Sequence, residues 1–231
     1  MLRLEGLEIR QGDFALDADW ALADGSVCAV MGPSGGGKST LLAAIAGFLA
    51  PRAGRVSWDG RDLTALPPAA RPISILFQDN NLFPHLTVER NLALGIDPKG
   101  RLDAARRREI EAVLDRVGLH AMGARRPAAL SGGQQSRAAL ARVLLMDRPL
   151  VLLDEPFAAL GPGLRMEMLD LAREVLAGEG RTLMMVSHAP EDAARIASDI
   201  VLVDAGRAAA PAPAGPLLET PPPALRAYLG R

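Results

Sequence analysis

Nine consecutive residues, Gly32-Pro33-Ser34-Gly35-Gly36-Gly37-Lys38-Ser39-Thr40, carry the densest chemistry in the chain. They fit the pattern G-x-x-x-x-G-K-[ST] at every fixed position. A triphosphate needs several backbone N–H donors converging on its oxygens, and glycines let the backbone approach without a β-carbon in the way. In this pattern Lys38 sets a point charge against the β- and γ-phosphates, and the Ser39 hydroxyl is a ligand for Mg²⁺. Thr40 and the apolar residues behind it start a helix whose positive end faces the anion. The flanks agree: Val27-Cys28-Ala29-Val30-Met31 reads as a buried strand leading in, and Leu41 to Ala46 as a buried helix leading out. The expectation is a nucleotide site.

Other polar residues stand at the ends of apolar runs. Leu150-Val151-Leu152-Leu153 reads as a central parallel strand and stops at Asp154-Glu155. Asp154 sits where a second Mg²⁺ ligand belongs, and Glu155 where a carboxylate can draw a proton from an attacking water. The strand Ile73–Phe77 stops at Gln78, and the strand Leu183–Ser187 stops at His188. Ligands of open α/β sheets bind beyond the carboxyl ends of the strands, so Gln78 and His188 converge on the same edge as γ-phosphate sensors. Ser131-Gly132-Gly133-Gln134 has the makings of a second anion site: a serine N-cap, two glycines and a following helix. One triphosphate does not need two such sites. The economical reading is that Ser131 reaches the nucleotide of a partner copy, so that ATP lies between two chains.

The elements that must position these residues are legible in outline. Leu2 to Ile9 and Phe14 to Leu22 alternate as two half-buried antiparallel strands around a turn at Gly12-Asp13. A short strand and an Asp59-Gly60 turn follow. Strands then alternate with helices, which indicates an α/β fold with a mostly parallel sheet. A helical stretch from about Leu86 to Met146 interrupts it, and its Arg106-Arg107-Arg108 run reads as a solvated face. Residues 208–231, crowded with proline and alanine, read as an irregular or semi-rigid tail on a single domain of 231 residues.

Composition excludes several classes. A formal net charge of -1 leaves no basic excess for nucleic acid as the main partner. The single cysteine, Cys28, cannot form an internal disulfide and falls in a buried strand, so it is a packing residue. No apolar run approaches the ~20 residues of a membrane helix.

The ordered set formed by the phosphate loop, Gln78, Leu130–Gln134, Leu150–Asp154, Glu155 and His188 resembles the ATP-binding subunits of ABC transporters over nearly the whole chain. The resemblance implies a phosphate-loop ATPase fold with an antiparallel β subdomain and an inserted helical subdomain. It also implies a head-to-tail dimer with two ATP and Mg²⁺ at its interface, whose closing and opening drive transmembrane permease subunits. An importer would work from the cytoplasmic face of the cell inner membrane and be fed by a periplasmic solute-binding protein. Within the family, Leu76 to Val88 and Val186 to Ala197 are similar to the ATPases of thiamine importers, which implies thiamine or its phosphates as the solute. Ferric iron, a polyamine or an oxyanion is the alternative cargo. A soluble ABC ATPase of DNA repair or translation would carry insertions or basic surfaces that this chain does not show. The segment Asn80–His85 lies where the family docks its permease.

Three positions depart from the family pattern. Gly161 replaces an aspartate of the dimer-interface loop, a loss that bears on interface coupling and hydrolysis rate. Ser136 stands where glutamine is more usual. The adenine-stacking aromatic near position 11 is Gln11; Phe14 is its substitute on one reading and a core residue on the other. The expectation is weakened adenine selectivity.

Overall fold

The computed structural model describes residues 1–79 and 81–228, with Ala227 described only in its backbone. The chain opens with β1 (Leu2–Gln11) and β2 (Phe14–Leu22), antiparallel, with Leu2 opposite Leu22 and Gln11 opposite Phe14. Their inward residues alternate as the sequence pattern requires. The continuous apolar run of β3 (Val27–Met31) is buried at every position, and α1 (Lys38–Ala46) follows the phosphate loop. Then come β4 (Ala53–Trp58), β5 (Arg61–Asp62) and β6 (Ile73–Leu76). The Asp59-Gly60 turn between β4 and β5 takes φ of 49° and 77°, the left-handed pair of a tight hairpin.

The helical insertion holds α2 (Val88–Ile96), α3 (Ala104–Arg116) and α4 (Gly132–Leu145). Each begins on a side-chain cap, from Thr87, Asp103 and Ser131 respectively. The arginine run on α3 is not wholly solvated: Arg106 pairs with Asp97 and Arg107 with Glu89. The chain returns through β7 (Leu150–Asp154), α5 (Pro162–Val175), β8 (Thr182–Val186), α6 (Pro190–Ile196) and β9 (Asp199–Asp204).

One mixed sheet runs in the order β5-β4-β1-β2, then a two-residue β10 (Arg207–Ala208), then β9-β3-β8-β7-β6. The first four strands are antiparallel, and β9, β3, β8, β7 and β6 are mutually parallel. Those parallel strands bring β3, β8 and β7 side by side, so their carboxyl ends lie together. One core packs α1 against the antiparallel layer, and another joins the insertion to α5.

The C-terminal segment departs from the expectation of an irregular tail. It forms β11 (Ala212–Pro213), paired with β9, then α7 (Ala214–Glu219) and α8 (Pro223–Tyr228). Ala214 and Leu225 are buried against Ala29, Met31, Ala193 and Ile200. Proline at a first helical turn promotes a helix start, and Pro223 sits there; the density of prolines masked that signal.

Candidate functional site

The phosphate loop leaves β3 and enters α1 with Gly37 as N-cap, at φ 102° and with no side-chain cap. The first turn of α1 carries no acidic residue, so its N–H groups and dipole are open to an anion. The loop lies hard against β9. Gly32 has φ 144°, and a β-carbon there would fall 1.9 Å from the Val203 carbonyl oxygen, so only glycine fits. Lys38 is 4% exposed, and its Nζ donates to the carbonyls of Gly32 and Pro33 at 2.8 Å each, curling the loop around the ammonium. Burial pulls its pKa down, opposed by the nearby charges of Glu155 and Asp154.

Ser39 Oγ donates to Asp154 Oδ1 at 3.0 Å, joining two residues that the sequence keeps 115 positions apart. Burial raises the Asp154 carboxyl above the ordinary aspartate range, the hydroxyl bond holds it down, and Glu155 pushes it up further. Two hard oxygens converging beside a buried ammonium suit Mg²⁺, which fills its remaining positions with water and substrate phosphates. The described residues hold no cluster of three or more His, Cys, Asp or Glu side chains able to trap a metal without a substrate.

Glu155 extends β7 by one backbone bond to Val186, 3.3 Å, and then turns left-handed at φ 48°. For a residue with a β-carbon that conformation costs about 1–2 kcal/mol. It aims the carboxylate across the sheet end, where Oε1 meets Nε2 of His188 in a close hydrogen bond. A cavity of about 300 Å³ behind the pair is lined by Glu155, Arg165, Ser187, His188 and Asp192.

A buried group that the sequence analysis missed supports the His188 side. Asp192, 4% exposed, accepts from Ser187 Oγ and from Arg165 of α5, whose Nε lies 3.1 Å away. Ser187 Oγ also accepts from the Ala189 N–H at 3.1 Å, fixing the backbone on either side of His188. Nothing local marks these residues, because an acid in a first helical turn and an arginine on a helix face are ordinary on solvated helices.

The other expected site residues stand apart. Gln78 lies two residues beyond β6 at the same sheet edge, exposed, and among the described residues it makes no hydrogen bond to Asp154, Glu155 or His188. Pro33, Ser34, Gly35, Gly36 and Thr40 complete the loop and the first turn. Ser131 to Gln134 is remote from that loop in its bonding. Ser131 Oγ accepts from Gln134 N at 3.3 Å, and Gln134 Oε1 accepts from Ser131 N at 3.0 Å, a reciprocal capping box. Leu160 and Leu164 pack on Gly132 and Gly133, tying this turn to the segment that leaves Glu155.

The departures also have definite settings. Gly161 is the N-cap of α5 with no side-chain bond, and a β-carbon there would meet nothing within 4 Å. Ser136 is buried inside α4. Phe14 is half-buried at the start of β2, with its ring edge over the phosphate loop; a β-carbon on Gly37 would lie 2.5 Å from Cζ. It therefore belongs to the edge of the core and to the rim of the site at once.

The family model for the ABC transporter matches residues 16–158, which include the whole phosphate loop and the Asp154-Glu155 pair. The chain belongs to the ABC transporter family. It is 60% identical over 230 residues, all of both chains, to the thiamine import ATP-binding protein ThiQ of Cereibacter sphaeroides. It is 49% identical over 207 residues to the protein of that name from Yersinia pseudotuberculosis, covering 90% of this chain and 88% of the other. Among solved structures it resembles the ATP-binding cassette MJ0796, in a dimeric post-hydrolysis state bound to ADP and Pi. That likeness has a TM-score of 0.80 at 28% identity, covering 93% of this chain and 99% of that one. The ADP conformation of the cassette MJ1267 superposes with a TM-score of 0.87 at 25% identity, covering 100% and 99%. These ABC cassettes bear out the α/β phosphate-loop fold read from the motifs.

Proposed function

We propose that this chain is the ATP-hydrolysing subunit of an importer for thiamine or its phosphates. The observation that carries the catalytic part is the Glu155–His188 contact beside Lys38, Ser39 and Asp154. The loop N–H groups and Lys38 bind the β- and γ-phosphates. Glu155 accepts a proton from water as its oxygen bonds to the γ-phosphorus, and the bond from that phosphorus to the β–γ bridging oxygen breaks. ADP and phosphate leave, and the proton passes from Glu155 to bulk water. His188 holds the carboxylate in line. Ser39 and Asp154, with Gln78 as a further oxygen donor, would hold Mg²⁺, which would supply neutralisation of the phosphate charge. A positioned base of this kind contributes about 10²–10⁴-fold to the rate.

Ser131 to Gln134 serve the nucleotide of a second copy in a head-to-tail dimer, which accounts for an anion-ready turn that does not bond to its own phosphate loop. The dimeric state of the similar cassette MJ0796 supports this. Permease subunits dock near Phe48 and Phe83, which are 57% and 46% exposed and are large apolar side chains left on the surface. Of the Asn80–His85 docking segment, Asn80 lies outside the described residues; Phe83 is held by buried Asn91, which receives its N–H at 2.7 Å. No helix among the described residues is long and apolar enough to cross a membrane. The subunit works peripherally on the cytoplasmic face of the inner membrane, a placement supported by the import role in the relatives' names. A periplasmic binding protein would contact the permease only.

The substrate assignment rests on the identity to proteins named for thiamine import, over the whole chain in one and nine-tenths of it in another. Uptake of labelled thiamine by cells carrying this subunit with its permease should collapse on Lys38→Ala. Unchanged uptake would remove thiamine and leave the ATPase reading to be tested with iron, polyamine or oxyanion substrates.

A further inference from the structure

Tyr228, the one tyrosine of the chain, ends the described part of α8 and donates its hydroxyl to the backbone carbonyl of His188 at 2.8 Å. His188 lies between β8 and α6, outside any helix or strand, so its carbonyl has no ladder partner of its own. The helix that brings the phenol there is firmly seated. Leu225 is fully buried against Ala29 and Met31 of β3, Ala193 of α6 and Ile200 of β9, and Tyr228 packs on the edge of that cluster. One side of the cluster is the strand feeding the phosphate loop. Burial, and then the charge of Glu155, raise the phenol pKa, so the hydroxyl stays a donor and lies within the field of the catalytic carboxylate.

The geometry points to Tyr228 as a positioning residue for hydrolysis, through which the C-terminal helix sets the backbone carrying His188. The His188 segment is then gripped from two sides. Beneath it, Asp192 and Arg165 hold Ser187; from the tail, Tyr228 holds His188 itself. Two anchors on neighbouring residues fix the backbone of His188 and the direction in which its side chain leaves it, and so the position from which Nε2 reaches Glu155. This inference rests on the proposed role of His188 and extends it to a segment that none of the ATP-binding motifs includes.

Four proteins test it: the full-length subunit assembled with its permease, as wild type, Tyr228→Phe, His188→Ala and the double variant. Loss of one hydrogen bond of ordinary net strength predicts a kcat lower by about 3- to 10-fold for Tyr228→Phe. The KM for ATP should stay within about twofold, because the phosphate loop is untouched. The double variant should be no slower than His188→Ala, since a residue acting through His188 has nothing left to position. Wild-type kcat in Tyr228→Phe overturns the proposal. So does a double variant slower than His188→Ala by the same factor as the single change, or a melting temperature more than about 5 °C lower, which would assign the hydroxyl to the fold. Full turnover in His188→Ala would instead overturn the underlying reading of His188, a result separable from the other three.

Discussion

Arg71 offers a test of how the phosphate-loop helix is held from its far end. It is 1% exposed, and its guanidinium donates to four carbonyls: Ala44 at 3.0 Å, Ile45 at 2.7 Å, Leu66 at 2.9 Å and Thr64 at 3.1 Å. The first two belong to the last turn of α1, so Arg71 acts as its C-terminal cap. Hydrogen bonds to a charged group are each worth about 1.5–3 kcal/mol, giving roughly 6–12 kcal/mol gross for four. Burial of the cation works against this and lowers the Arg71 pKa. Desolvating an ion costs several kcal/mol, whereas carbonyls left buried without their donor cost about 1–3 kcal/mol each, so removing Arg71 leaves a net loss of about 3–5 kcal/mol. Arg71→Met keeps most of the apolar stem and removes every donor. For a chain of this size the loss corresponds to a melting temperature about 6–20 °C lower. Urea unfolding at constant m-value reads the stability directly. ATP affinity, measured well below the transition, should stay within about twofold, because Lys38 sits at the other end of α1. A loss under about 1 kcal/mol would refute the reasoning, as the carbonyls would then be satisfied by water. Arg71→Lys, with three donors on a single nitrogen, should fall between wild type and Arg71→Met.

Three other outcomes follow from the site. Asp154→Asn should abolish turnover yet raise the melting temperature at pH 8: the native carboxyl pKa is raised, so ionisation costs stability in full above that pKa, and the cost fades as pH falls from there to the ordinary aspartate value. A thermal series across pH in which the variant never exceeds wild type would contradict this. Cys28 is fully buried with its pKa pushed up to about 12, so a thiol reagent at pH 8 should leave the native chain unlabelled for many minutes and modify one thiol in urea; labelling of native protein within seconds would place the strand at the surface. Phe14→Ala should weaken ATP and GTP binding alike, by about 5- to 150-fold, because stacking of a base on an aromatic ring is worth about 1–3 kcal/mol and every base has a π-face. Calorimetric affinities unchanged for both nucleotides would leave the ring a packing residue, and strict ATP preference in the wild type would end the expectation of weakened selectivity.

The geometry of the phosphate loop was legible because it is local: a buried strand, a glycine-rich turn and a helix start follow one another in a single stretch, so spacing alone places Lys38 and Ser39 at the head of α1. The strands β3, β7 and β8 were legible too, since continuous apolar runs of four or five residues suit little other than the centre of a parallel sheet. Their polar ends could therefore be assigned to one edge. The pairing of those ends was decided only by the order β3-β8-β7, which brings Ser39 to Asp154 and Glu155 to His188, while Gln78 beyond β6 makes no hydrogen bond to Asp154, Glu155 or His188. Arg165, Asp192 and Tyr228 had no local signature. A charged or phenolic side chain looks the same on a solvated helix as on one packed against a catalytic loop, and burial separates the two. The tail was misjudged for a related reason: proline and alanine say little about where a segment packs, and it was the apolar face left by β3, β9 and α6 that gave Leu225 and Ala214 a place to bury. Sequence by itself determined the chemistry that runs along the backbone, and tertiary structure decided which distant side chains share it, because contact across a sheet depends on strand order and register rather than on spacing.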